Sequence, residues 1–139
     1  MQKFAGLLLL LIFTAGACKQ DTGRNPYLPD VRFEIRIDLN LPRYQSLLYS
    51  GNALYVADGG IKGVLVFNTG SGYNAFEASD PNHSPNDCST MQLQDRYAVC
   101  PCEENTYSLY DGHPVKGGGK YGMKPYHTDL RGTILYIYN

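Results

Sequence analysis

Residues 31–38, Val-Arg-Phe-Glu-Ile-Arg-Ile-Asp, alternate apolar and polar without a break. Alternation with a period of two predicts a β-strand with one face in a core and the other in water. Similar strand-like runs follow at 53–57, 63–68, 73–78, 96–100, 106–110 and 133–138. Turn-forming residues separate them at Ser50-Gly51-Asn52, Asp58-Gly59-Gly60, 68–72, Asp111-Gly112 and Arg131-Gly132; Gly, Asn, Asp and Ser fit the tight dihedrals that reverse a chain. In the final run, Thr133-Ile134-Leu135-Tyr136-Ile137-Tyr138, aliphatic groups and tyrosine rings fall on opposite faces, an arrangement for core and cross-strand packing. No window of helical length carries a 3.6-residue period. The pattern predicts an all-β domain over 31–139, built from six to ten short antiparallel strands.

The chain opens differently. Lys3 precedes an apolar run, Leu7 to Phe13, and the small residues Thr14-Ala15-Gly16-Ala17 lead to Cys18. The run is shorter than the roughly 20 apolar residues that span a bilayer. A charged start, a short apolar centre and a small-residue end form a signal peptide over 1–17. Ala-Gly-Ala-Cys resembles the lipobox of bacterial lipoproteins, with Ala15 where Leu is usual. The resemblance implies removal of 1–17 and lipidation of Cys18, and so an anchor in a cell-envelope membrane on the periplasmic or outer-membrane side. Two or more acyl chains anchor a protein stably. Residues 18–30, polar after Cys18 and with two prolines, are expected to be a tether.

Composition narrows the partners. Without Lys3 the mature 122 residues carry 11 basic and 13 acidic groups, and no basic run occurs. Phosphate backbones are bound by clustered Lys and Arg, so nucleic acid is not expected as a partner. Fifteen glycines, eight prolines and twelve tyrosines favour short strands and loops. Apart from Cys18 there are three cysteines, Cys88, Cys100 and Cys102. Export allows disulfides to persist. An odd count implies one pair and one free thiol, and the count alone leaves the pair open.

Two segments break the strand-turn rhythm, the polar loop 79–90 (SDPNHSPNDCST) and the turn 100–105 (CPCEEN). Long loops on a rigid β scaffold are where function concentrates. On these loops the sequence resembles the Rieske iron–sulfur domain, over about residues 45–139. That family holds a [2Fe–2S] cluster between a C-x-H loop and a C-P-x-H loop, with two thiolates on one iron and two imidazoles on the other. Cys100-Pro101-Cys102 matches the second loop, with Glu103 at the histidine position. In the first loop Asp80-Pro81-Asn82 stands where C-x-H belongs. The segment 107–114 resembles the strand after the cluster loop, and 116–124 resembles the family's third loop. The whole is similar to Rieske-like lipoproteins of flavobacterial, Bacteroidetes type, Asn25 to Asp30 included.

The family-equivalent ligand positions are therefore Asp80, Asn82, Cys100 and Glu103, and only Cys100 keeps its identity. The resemblance implies a degenerate site with no metal and no cofactor expected. Asp80 and Glu103 would suit only a hard ion, whereas thiolates select Fe–S chemistry. The alternative is a [2Fe–2S] cluster on His83, Cys88, Cys100 and Cys102. The resemblance also implies a disulfide, because Cys88 and Cys102 occupy the family's clamp positions. It would close a loop of about 15 residues, worth roughly 3 kcal/mol. Cys100–Cys102 is disfavoured, since residues two apart on an extended segment point to opposite faces. Cys100 then remains as a small buried hydrophobe.

Other candidate chemistry is weaker. His83 is expected as a solvated loop histidine, His113 as an exposed turn residue and His127 as a structural residue beside Tyr126. No C-x-x-C, H-E-x-x-H or G-x-S-x-G motif occurs, and Gly117-Gly118-Gly119-Lys120 lacks the spacing of a phosphate loop. An enzyme is not expected. The functional expectation is a cell-envelope lipoprotein acting as a binding or structural module, with the membrane and an unknown envelope protein as partners. The alternative is an electron-transfer protein.

Overall fold

A computed structural model describes residues 24–139. Cys18 and the signal segment lie outside the described residues. The described residues form an all-β fold, with ten short strands in two curled antiparallel sheets. The larger sheet contains β1 (Glu34–Asp38), β2 (Ala53–Val56), β3 (Val64–Asn68), β4 (Tyr73–Glu77), β9 (Pro125–Arg131) and β10 (Ile134–Tyr138), in the order β1-β10-β9-β4-β3-β2. The smaller sheet contains β5 (Gln92–Gln94), β6 (Tyr97–Val99), β7 (Thr106–Ser108) and β8 (Pro114–Lys116), in sequence order. No helix among the described residues is long and apolar enough to cross a membrane.

Two clusters of buried side chains share one wall. On β3, Val64 and Val66 enter one cluster with Ile37, Leu135 and Ile137. Leu65 and Phe67 enter the other with Ala98, Tyr107 and Leu109, between the sheets. Successive side chains of a strand point to opposite faces, so a strand buried on both sides reads as a continuous apolar run. VLVFN is such a run, and all five residues are buried. By contrast β1, at the sheet edge, and β10, paired between β1 and β9, turn only one face to the core, so they alternate: Leu135 and Ile137 are buried while Tyr138 is exposed.

Three features depart from the sequence reading. The strands β5 and β8, three residues each, are too short to show a period. A 3₁₀ helix, Pro42–Leu48, links β1 to β2 and buries Leu47. The end of the expected tether is seated on the domain. Leu28 is 2 % exposed, Asn25 Nδ2 donates to the Pro81 carbonyl at 2.7 Å, and Lys124 pairs with Asp30 at 2.6 Å. Residues 25–30 therefore pack on the β domain, because covering Leu28 removes apolar surface from water.

Candidate functional site

The loop after β4 and the turn between β6 and β7 meet at one end of the smaller sheet. Cys100 directly follows β6 and its backbone closes the turn. Its N–H donates to Asn105 O and its carbonyl accepts from Glu104 N, both at 2.9 Å. Glu104 sits at φ +57°, in the left-handed region that ends such a turn. The first loop is held at its root by the bridge between Ser79 and Thr90 and by the Asp80 N–H to Ser89 O bond at 2.8 Å. A disulfide joins Cys88 to Cys102, with Cα atoms 5.3 Å apart, and Cys100 is a free, fully buried thiol.

Between the loops lies a polar network. Asp80 is fully buried. Its carboxylate accepts from the Asn82 N–H at 2.7 Å, from the Tyr107 hydroxyl at 3.1 and 3.2 Å, and from Asn105 Nδ2 at 3.5 Å. Asn82 Nδ2 donates to the Tyr107 oxygen at 2.7 Å and to Tyr121 O at 2.9 Å, while its Oδ1 accepts from Tyr121 N at 2.9 Å. Asn82 thus pins the glycine-rich loop before Tyr121. A Cβ on Gly119 would lie 2.6 Å from Asn82 Nδ2, so that close approach requires glycine. Burial, reinforced by Asp80, pushes the Tyr107 hydroxyl well above the ordinary tyrosine range.

The sequence-derived candidates separate here. Asp80, Asn82 and Cys100 come together, but the first two are consumed by hydrogen bonds. Glu103 is exposed and accepts from Asn105 Nδ2 at 3.2 Å. His83 is not the solvated residue expected. It is half-buried, and its Nε2 lies 3.4 Å from Cys100 Sγ. His113 is exposed, and His127 stacks on Tyr138 with ring centres 5.3 Å apart. Tyr107 and Asn105 were missed as site residues. Strand alternation marks Tyr107 only as a packed ring, and nothing local announces where a hydroxyl or an amide will point.

The donor set does not fit a [2Fe–2S] cluster. The four equivalent positions offer one thiol, one amide and two carboxylates, while the cluster requires two thiolates and two imidazoles. With Cys88 and Cys102 bonded to each other, Cys100 and His83 alone remain of the alternative set. Nor is Cys100 a ready nucleophile: burial raises its thiol above the ordinary value, outweighing the backbone N–H groups of Glu103 and Cys102 directed at the sulfur. What the arrangement does chemically is lock two loops and a third together around a satisfied polar core. Among the described residues, no buried side-chain polar atom lacks a partner.

No family model matches the sequence, and no curated protein does. Solved structures of similar shape include the carbazole 1,9a-dioxygenase complex of reduced oxygenase and oxidised ferredoxin, at 17 % identity and TM-score 0.48, covering 64 % of this chain and 90 % of that one. A putative NADH-dependent nitrite reductase small subunit from Mycobacterium tuberculosis matches at 17 % identity and TM-score 0.49, over 79 % of this chain and 97 % of that one. A ferredoxin of Sphingomonas yanoikuyae B1 matches at 12 % identity and TM-score 0.48, over 66 % and 88 %.

Proposed function

We propose that the chain is a cell-envelope lipoprotein, anchored through Cys18, whose Rieske-like domain has exchanged its cluster for a disulfide-clamped polar core and serves as a binding or structural module. One observation carries this reading. The Cys88–Cys102 bond closes the two loops while Asp80 and Asn82, at the family's ligand positions, spend their side chains on Tyr107, Asn105 and Tyr121. A ligand side chain must keep a lone pair aimed at its ion, and these do not. The partners would be the membrane and another envelope protein; no enzyme activity and no cofactor belong to this reading.

The contact between His83 and Cys100 favours a second reading, electron transfer through a [2Fe–2S] centre with atypical ligands. Iron, acid-labile sulfide and the visible spectrum separate the two. The sample is the full chain, expressed with iron supplied and purified in detergent without oxygen. The first reading expects neither iron nor sulfide, and one thiol among Cys88, Cys100 and Cys102. About two irons and two sulfides per chain, with charge-transfer bands, would overturn it.

A further inference from the structure

We propose that the junction of the two loops is a redox-gated site for one zinc-class ion, bound by Cys88, Cys100, Cys102 and His83 once the disulfide is reduced. The inference goes beyond the function proposed above, which concerns the clamped chain.

A ring nitrogen of His83, Cys100 Sγ and Cys102 Sγ lie within 4.8 Å of one another. Zinc binds thiolate sulfur at about 2.3 Å and imidazole nitrogen at about 2.0 Å, so two such ligands of one tetrahedral ion sit roughly 3.5 Å apart. His83 Nε2 and Cys100 Sγ are 3.4 Å apart, already at that spacing. The fourth donor, Cys88, is attached to the third through the disulfide. Three thiolates and one imidazole form a closed tetrahedral set.

The surroundings prepare each ligand. His83 Nδ1 lies 3.0 Å from the Ser84 carbonyl. A carbonyl can only accept, so this bond places the ring proton on Nδ1 and leaves the lone pair of Nε2 facing the sulfur. That tautomer is the one a metal requires, fixed in the way ligating histidines are held. The backbone N–H groups of Cys102 and Glu103 point at the Cys100 sulfur, in place to donate to a metal-bound thiolate. Asp80 faces the Cys100 thiol, and its oxygens already accept from Tyr107, Asn82 and Asn105.

The gate is chemically balanced with a dithiol as reductant. Cys88 is exposed at a groove of about 590 Å³ lined by Tyr55, Asp87, Met91, Leu93 and Pro101. A reductant thiolate attacks the Cys88 sulfur, the Cys88–Cys102 bond breaks, and its electron pair leaves on Cys102. The second reductant thiol displaces Cys88 and ends in the reductant's own disulfide. The chain has then gained two electrons and two protons. Zinc binding releases three thiol protons and takes the neutral imidazole, which gives a site of charge −1.

The test titrates the full chain with Co²⁺ and then Zn²⁺. The chain is reduced with a phosphine, freed of it under argon, and compared with the oxidised chain. The expected result is one Co²⁺ per reduced chain with tetrahedral thiolate bands, bleached by one Zn²⁺, and no uptake by the oxidised chain. His83→Ala, and His83→Gln with its bulk kept, should each weaken Co²⁺ binding by about tenfold or more, while their oxidised forms keep the native circular dichroism. Cys100→Ser should remove the site. No uptake by the reduced chain, equal uptake by the oxidised chain, or unchanged affinity in the His83 variants would overturn the proposal.

Discussion

Glu77 at the end of β4 is fully buried, and among the described residues no cation pairs with it. Its Oε2 accepts from Ile61 N at 2.7 Å and the Tyr126 hydroxyl at 2.6 Å; its Oε1 accepts from Lys62 N and Ser79 N, both at 2.9 Å. The carboxylate thus ties the turn before β3 to the root of the first loop, one residue before Asp80. In Glu77→Gln the shape is kept and half the acceptors are lost. Placing the new amide nitrogen at Oε1 would face two fixed backbone donors. At Oε2 it faces the Ile61 N–H, which cannot adapt, and the Tyr126 hydroxyl, which can rotate to accept. The second placement is favoured and leaves one buried N–H unpaired, a cost of about 1–3 kcal/mol. The remaining bonds lose their charge assistance, about half their strength. Relief from burying a charge offsets part of this. The net expectation is a loss of about 2–3 kcal/mol, or a fall of roughly 10 °C in Tm for a domain of this size. Urea unfolding of wild type and variant, followed by circular dichroism, measures it. Tyr126→Phe, which removes one donor and leaves the three backbone N–H groups satisfied, should cost only about 1 kcal/mol. A Glu77→Gln protein as stable as wild type, or more so, would refute the reasoning, for it would mean that burial of the charge outweighs its four hydrogen bonds.

Further outcomes follow from the same structure. Cys88→Ser or Cys102→Ser should lower stability by roughly 3 kcal/mol, as read from the urea midpoint under oxidising conditions. Cys100, fully buried, should react with a thiol reagent only after denaturation. Tyr107 and Tyr126 are both pushed above the ordinary tyrosine value, chiefly by burial, with Asp80 and Glu77 adding to it. The unfolded chain therefore loses these protons first. The contribution of these two tyrosines should be constant below pH of about 10 and fall above it by about 1.4 kcal/mol per pH unit for each, as alkaline unfolding curves will report. Converting Asp80→Cys, Asn82→His and Glu103→His together should restore iron and sulfide binding on reconstitution; failure to bind either would count against the equivalence of these positions with the Rieske ligands. Cys18→Ser should abolish labelling by a fatty-acid precursor and release the protein from membranes.

The sequence by itself determined the fold class and most of the strands, because the period-two pattern is a local consequence of where each residue points. Alternation in 31–38 and 133–138 locates β1 and β10, and the run at 63–68 locates β3, whose burial on both faces the structure then shows. It also determined the two loops and the C-P-C turn, since prolines, glycines and cysteines declare themselves by type. Tertiary structure decided the rest. β5 and β8 are strands only because β6 and β7 pair with them. Leu28 is core only because the domain offers a place for it. Glu77 stands in a strand whose pattern allows any residue at that end, and its burial depends on three backbone N–H groups supplied by the 61–62 turn and Ser79. His83 and Cys100 are 17 residues apart in the chain and 3.4 Å apart in space. Contacts of this kind arise where two loops are folded against each other, and no local pattern of hydrophobic and polar residues encodes the direction of a side chain across such a junction.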